Sequence, residues 1–224
     1  MAAVPAPSFS TSRLVFRAPA PADFERPDGF LDQLLRDPEL VHGLTASSVL
    51  PMSREQVDKF FKTCGEEAAI HCVFSLRPTD TDTDDETQAQ TSAEVEKEVP
   101  VGWVVLHKIA GLHRKATFGL AVAPVQRRNG FAKEAMEWLL ERAFNGFGLN
   151  KVEGDVFGWN EAARPCYKSV GFVEEGCRRQ TVWQNGAFRD DYSLGLLASE
   201  WRERHSQKID ARESACDPEQ KTPL

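Results

Sequence analysis

The stretch PVQRRNGFAKEAMEWLLERAF, residues 124–144, decides how the rest of the chain is read. Its second part places Ala132, Ala135, Met136, Leu139, Leu140 and Ala143 at steps of three and four, so they share one face of a helix. Its first part is a turn that carries Arg127, Arg128, Asn129 and Gly130. The free N–H groups of a helix start make that end positive, so two arginines there are unfavourable unless an anion binds. Immediately upstream, ATFGLAVAP (116–124) reads as a buried strand. A strand that feeds a helix through a basic, glycine-containing turn predicts a small anionic ligand at the helix start.

The bulk composition narrows what that ligand can be. The 224 residues are 41% hydrophobic, enough for one sizeable domain with appendages. The net charge of −7 argues against general binding to nucleic acid or to an anionic membrane surface. No apolar run approaches the ~20 residues of a membrane span. The start, MAAVPAPSFSTS, lacks the basic segment and apolar core of a secretion signal. Cys64, Cys72, Cys166, Cys177 and Cys216 are irregularly spaced, with no zinc pattern and no disulfide framework. They read as reduced thiols of a cytoplasmic or nuclear protein, and no metal is expected.

Working outward from the turn, the elements alternate. RLVFRAP (13–19) reads as a strand, residues 28–37 and 53–67 as helices, and IHCVFSL (70–76) as a strand. Ser53 with Gln56 fits a capping box. Residues 78–99 are polar and acidic and read as a disordered insertion in a hairpin. Strands follow at 101–109 and 115–123, then the helix, which Gly146 and Gly148 should stop. KVEGDVF (151–157) is a strand, NEAARPCYKSVGF (160–172) contains a short helix, and a hairpin turns at QNGAF. The division expected is a flexible start (1–10), one domain (11–201), and a helix end with a disordered tail (202–224).

Arg127-Arg128-Asn129-Gly130-Phe131-Ala132 fits the signature Arg/Gln-x-x-Gly-x-Gly/Ala, and its context includes GLNKVEGDV and WNEAARPCYKSVGFVEEG. On these residues the chain resembles the GNAT superfamily of acetyl-coenzyme A-dependent N-acetyltransferases. The opening RLVFRAPAPAD and the last two segments resemble its ribosomal-protein N-terminal acetyltransferase branch. The resemblance implies an α/β GNAT fold, a mixed, splayed central sheet flanked by helices. It also implies direct transfer of acetyl from acetyl-CoA to a primary amine, either a protein N-terminus or a small amine. The acidic insertion departs from the compact family pattern.

The resemblance assigns pyrophosphate binding to the main chain from Arg127 to Ala132, that is Arg127, Arg128, Asn129, Gly130, Phe131 and Ala132. A helix start can cradle phosphate oxygens on its N–H groups, and a glycine lets them approach closely. Ala121 and Val122 on the preceding strand would meet the pantetheine arm. Asn160 would join the same arm while capping its helix. Tyr167 would bind there too and protonate the departing thiolate, which a phenol with a pKa near ~10 can do at neutral pH. The glutamate and serine that the branch often carries fall at Thr117 and Ala163, so the base must lie elsewhere. Lys151, Glu153 and Asp155 share the polar face of one strand, which offers Glu153 or Asp155 as a candidate base or water-positioner, Glu153 first, against a plain ion-paired face or a water chain. Two other readings stay open: a cysteine enzyme using Cys166, and a non-catalytic acyl-CoA-binding regulatory module. Acceptor identity and oligomeric state are not encoded legibly.

Overall fold

VGWVVLHKI has no polar alternation because both faces of its strand are covered. This strand (β3, Pro100–Ala110) points Trp103 and Val105 to one side and Val104 and Leu106 to the other, all buried. The computed structural model describes residues 9–25, 28–44, 53–77 and 99–215, with side chains as far as residue 207. The N-terminal residues 1–8, most of the predicted insertion (78–98) and the end of the tail (216–224) lie outside the described residues.

In chain order, β1 (Leu14–Arg17) leads to two short helices, α1 (Phe30–Leu34) and α2 (Pro38–Leu44), and then to α3 (Arg54–Glu66). β2 (Ala68–Leu76), β3 and β4 (Lys115–Val122) follow. After α4 (Phe131–Glu141) come β5 (Lys151–Phe157), α5 (Ala163–Val170), β6 (Val173–Gln184), β7 (Ala187–Leu197) and α6 (Ala198–Ala215). The sheet order is β1-β2-β3-β4-β5-β7-β6. Every neighbouring pair is antiparallel except β4 and β5. The sheet is thus mixed, as the sequence predicts.

The splay is where the parallel pair fails. β4 and β5 match only at Lys115–Lys151, Ala116–Val152 and Thr117–Glu153. Beyond these, β4 stays with β3 as far as Val122, and β5 stays with β7 as far as Phe157. The two halves of the sheet therefore open like a V.

Each face has its own core. Of the helical stripe read from the sequence, Ala135, Met136, Leu139, Leu140 and Ala143 are buried with Phe16, Leu106, Val152 and Leu196, while Ala132 is half-buried. Phe16 stacks flat on Trp138 at 3.8 Å. On the other face, Leu31, Leu40, Val57 and Phe61 pack on Val73, Trp103, Val105 and Ala121. The capping box of α3 forms as expected, with Gln56 N–H donating to Ser53 Oγ at 3.3 Å and Ser53 N–H to Gln56 Oε1 at 2.7 Å.

Three boundaries differ from the sequence reading. The helix expected over 28–37 is realised only as α1, and a helix the sequence reading did not expect, α2, follows it, because Pro38 disfavours a helical residue before it and is preorganised to begin a new helix. Asp37 caps that second helix, its Oδ2 accepting from Leu40 N–H at 3.2 Å. α5 begins at Ala163 rather than next to Asn160, which places Pro165 in the first turn, where its missing N–H costs nothing. α6 runs to Ala215, beyond the helix end read from the sequence. The β6–β7 turn does follow its sequence: Asn185 and Gly186 both take positive φ, 48° and 78°, as a two-residue hairpin turn requires.

Candidate active site

The turn after β4 ends at Gly130, whose φ of 79° is a left-handed conformation that favours glycine. Gly130 is also the cap position of α4, and having no side chain it cannot satisfy the helix amides. The first intrahelical bond runs from Glu134 N–H to Gly130 O, at 3.2 Å. The amides of Phe131, Ala132 and Lys133 therefore lack helical acceptors. Arg128, two residues earlier, is left-handed too, with φ 67°. Alternating left- and right-handed residues curl successive N–H groups toward one point, the geometry of an anion nest. A cavity of about 320 Å³ opens beside Gly130, lined by Ser12, Arg13, Lys133, Glu134 and Glu137.

The turn is clamped from behind. Glu134 accepts from Thr11 Oγ1 at 2.5 Å, from Arg13 N–H at 3.0 Å and from Arg13 Nε at 2.7 Å. Arg13 also donates to the carbonyl of Asn129 at 3.0 Å. Burial raises the pKa of Glu134, but the bonds from Thr11 and Arg13 outweigh it and hold the carboxylate below its ordinary range. β1 and α4 are thus stapled by a charged group.

Arg127 does not do with its side chain what the sequence suggests. Its guanidinium pairs with Asp37 Oδ2 and Glu39 Oε2, each at 2.5 Å, and lies 3.4 Å from the carbonyl of Val122. Two carboxylates already neutralise it, so its charge is turned to α2. The backbone of the turn, rather than Arg127 Nη, is what remains for an anion.

Where β4 and β5 part, Phe118 fills the angle. Its ring meets Tyr167 edge-on at 4.9 Å and Phe172 at 5.0 Å between centroids. Tyr167, on α5, is 9% exposed. Burial, and then the neighbouring Cys166, pushes the pKa of its phenol up, so it keeps its proton throughout the neutral range. Ala121 is buried opposite Trp103, and half-buried Val122 sits opposite Gly102. Their β5-side edge has no strand partner, because the parallel pairing has ended.

Glu153 lies in the last paired position, at the foot of the V. Its carboxylate meets Lys115 at 2.6 Å and Lys151 at 3.4 Å. Burial raises its pKa, but the two ammonium groups outweigh that and hold it low, which makes it a weak base. Asp155, two residues on, lies beyond the paired region and binds Arg178 at 2.7 Å and Ser193 Oγ at 3.0 Å. Asn160 Oδ1 accepts from Ala163 N–H at 3.3 Å, so it does cap the turn into α5. Cys166 is half-buried, and burial pushes its thiol pKa up, which disfavours a nucleophilic thiolate. The structure brings Tyr167 to the angle of the V and the turn to its mouth, and leaves Glu153 ion-paired at its foot. Sequence reasoning missed Phe118, Asp37 and Glu39; the signal available for the last two was the Asp-Pro pair that caps α2.

The residues present suit coenzyme A. An uncapped helix start accepts a pyrophosphate, and an unpaired strand edge accepts an amide-bearing arm. Comparisons with known proteins agree. Among curated relatives, the uncharacterised N-acetyltransferase YoaA of Bacillus subtilis is 36% identical over 86 residues, 38% of this chain and 49% of its own. The spermidine N(1)-acetyltransferase of Vibrio cholerae is 32% identical over 104 residues, 46% of this chain and 60% of its own. The chain thus spans about half to three-fifths of the length of these relatives. The crystal structure of Vibrio cholerae spermidine N-acetyltransferase, in complex with CoA and spermine, superposes with a TM-score of 0.67. It is 22% identical and covers 85% of this chain and 99% of that one, which speaks for the fold. These relatives do not single out the ribosomal-protein branch. The acetyltransferase (GNAT) domain model matches residues 13–173, well over half the sequence, and the chain belongs to the GNAT acetyltransferases.

Proposed function

We propose that the protein is an N-acetyltransferase that moves acetyl from acetyl-CoA directly to a primary amine. The observation that carries this reading is the parting of β4 from β5 after three paired residues, beside the uncapped start of α4. Acetyl-CoA supplies the activated acyl group. The amides of the Arg127–Ala132 turn hold the pyrophosphate, and the free edge of β4 at Ala121 and Val122 aligns the pantetheine arm. A backbone N–H of that edge faces the thioester carbonyl and stabilises the charge that develops on its oxygen.

Tyr167 is the proton donor to the leaving sulfur. Its phenol carries the proton throughout the neutral range; the burial that raises its pKa also weakens it as an acid, so the transfer depends on placing the sulfur within hydrogen-bond reach. Asn160 anchors the start of α5 and so sets where Tyr167 stands. Glu153 neutralises Lys115 and Lys151 and pins the foot of the V, and the acceptor ammonium loses its proton to water. Rate then comes chiefly from proximity of amine and thioester. The spermidine acetyltransferase among the relatives makes polyamines the first acceptors to try.

The test is calorimetry with CoA, followed by acetyl transfer to a panel of polyamines, amino acids and peptide N-termini. Binding and turnover with one class support the enzyme and name its acceptor. Tight CoA binding with no turnover on any amine supports a regulatory module, and no binding of CoA defeats both.

A further inference from the structure

α2 is held at both ends by the two arms of the V. At its N-terminal end, Asp37 and Glu39 grip Arg127, in the turn that continues β4. Asp37 does this with the carboxylate that also caps α2, through Leu40 N–H, while its carbonyl accepts from Val41 N–H at 3.0 Å. At the C-terminal end, the His42 carbonyl accepts from Trp159 Nε1 at 2.8 Å, in the loop that continues β5. The His42 ring stacks on Trp159 at 5.0 Å, and Trp159 on Phe157 at 4.6 Å. Gly43 is packed so closely on Asn160 that a Cβ there would fall 3.0 Å from Nδ2. Seven helical residues span about 10 Å, roughly twice the ~4.8 Å between paired strands. α2 is therefore long enough to bridge strands that have separated, and it does so on the face opposite α4, with Leu40 and Val41 in the α3-side core.

Resting on the acetyltransferase reading above, we infer that the Arg127 side chain positions the acceptor. It holds α2 across the mouth of the V, so that α2 with Trp159 forms the wall against which the amine is presented. Phosphate binding is left to the backbone of the same turn. An arginine suits this task because its planar fork reaches two carboxylates at once, here one on each Nη. The same residue thereby ties the cofactor end of the cleft to the acceptor end.

Two measurements decide it. Hydrogen exchange of the 38–44 peptide in the ligand-free protein should quicken about tenfold in Arg127→Ala and in Asp37→Asn, which keeps a capping oxygen but loses the charge. Steady-state kinetics should show the acceptor KM rising about tenfold in both, and in Asp37→Asn, which lies outside the phosphate turn, kcat should change less than about twofold and CoA affinity by calorimetry should hold within about twofold. The conservative variant Arg127→Lys, which keeps the charge but can reach only one carboxylate at a time, should recover part of the acceptor KM, which a merely structural defect would not. Unchanged exchange in Arg127→Ala overturns the tether whether or not acetyl transfer is found. A tenfold loss of CoA affinity with the acceptor KM unmoved overturns it too, by making Arg127 a phosphate ligand. If the wild-type chain binds no CoA, the acetyltransferase reading fails, and the exchange result still decides the tether.

Discussion

The ring of Phe118 lies directly over Gly154: a Cβ built on Gly154 would stand 2.7 Å from Cε1 of Phe118 and 3.0 Å from its Cζ. β4 thus reaches across to β5 with a side chain at the point where it stops reaching with its backbone.

Gly154→Ala tests this contact. The ring cannot swing away freely, because Tyr167 and Phe172 hold it on other sides. Overpacking of this kind costs about 1–3 kcal/mol, and a melting curve should fall by about 2–4 °C for each kcal/mol in a domain of this size. Adding Phe118→Leu should recover part of the loss. A Gly154→Ala protein that melts like the wild type would show that the ring yields.

Tyr167→Phe separates catalysis from packing. The chemical rate in single-turnover experiments should drop by about 10²–10⁴-fold, with CoA affinity little changed. The variant also has a pH signature. The folded pKa of Tyr167 is raised above its unfolded value of about 10. Its contribution to stability is therefore complete below pH 10 and is lost as pH rises past that value, where the unfolded chain ionises first. Removing the hydroxyl should flatten this alkaline limb. A full-strength chemical step in the phenylalanine protein would remove Tyr167 from the mechanism.

Gly130→Val should weaken CoA binding through the backbone. The nearest neighbour of a new Cβ is Arg13 Nη2 at 3.5 Å, an ordinary contact, so space does not forbid the change. The φ of 79° does, since a β-branched residue there is strained by about 1–3 kcal/mol. The turn should relax, misdirect its amides and lose at least about tenfold in affinity. Calorimetry checks this, with the melting temperature as control; wild-type affinity would show that the amides of this turn do not bind the cofactor.

Replacing residues 80–97 with a short turn should leave the fold standing. The roots of the segment lie side by side, with Leu76 N–H donating to the Val99 carbonyl at 2.9 Å. Those roots are near the strand end that leads into the Arg127–Ala132 turn, since Ala123 N–H bonds the Val101 carbonyl at 2.8 Å. Residues 80–97 hold seven acidic residues and one lysine, a net of −6 against −7 for the whole chain. The deletion should therefore speed CoA association at low ionic strength, an effect that salt abolishes. Stopped-flow binding at two salt concentrations measures it, and loss of the cooperative melting transition would count against the expectation.

Local chemistry is what the sequence displayed. The capping box of Ser53, the Asn185–Gly186 turn and the strand Lys151–Phe157 depend on residues within a few positions of each other. The helix stripe from Ala135 to Ala143 was visible for the same reason. The proposal of phosphate binding came from the same source, since an arginine pair at a helix start is locally anomalous. The partners of Arg127 could not be, as Asp37 and Glu39 lie some ninety residues away and only the fold joins them. Glu153 and Asp155 look equivalent along the strand, yet one sits before the end of the parallel pairing and the other after it. A pairing boundary is a property of two strands and has no signature in either.

The three-residue seam between β4 and β5 also bears on how the chain assembles. β1 to β4 join neighbour to neighbour, and β6 and β7 form a hairpin that takes up β5. The seam must wait for α4 to cross over, and closing that loop costs entropy before three pairs return anything. Each block should gather before the two meet, with the seam unformed in the folding transition state. Weakening it, by Thr117→Ala or Lys115→Ala, should then quicken unfolding more than it slows folding. The opening proposed to take up acetyl-CoA is then also the line along which the domain first parts.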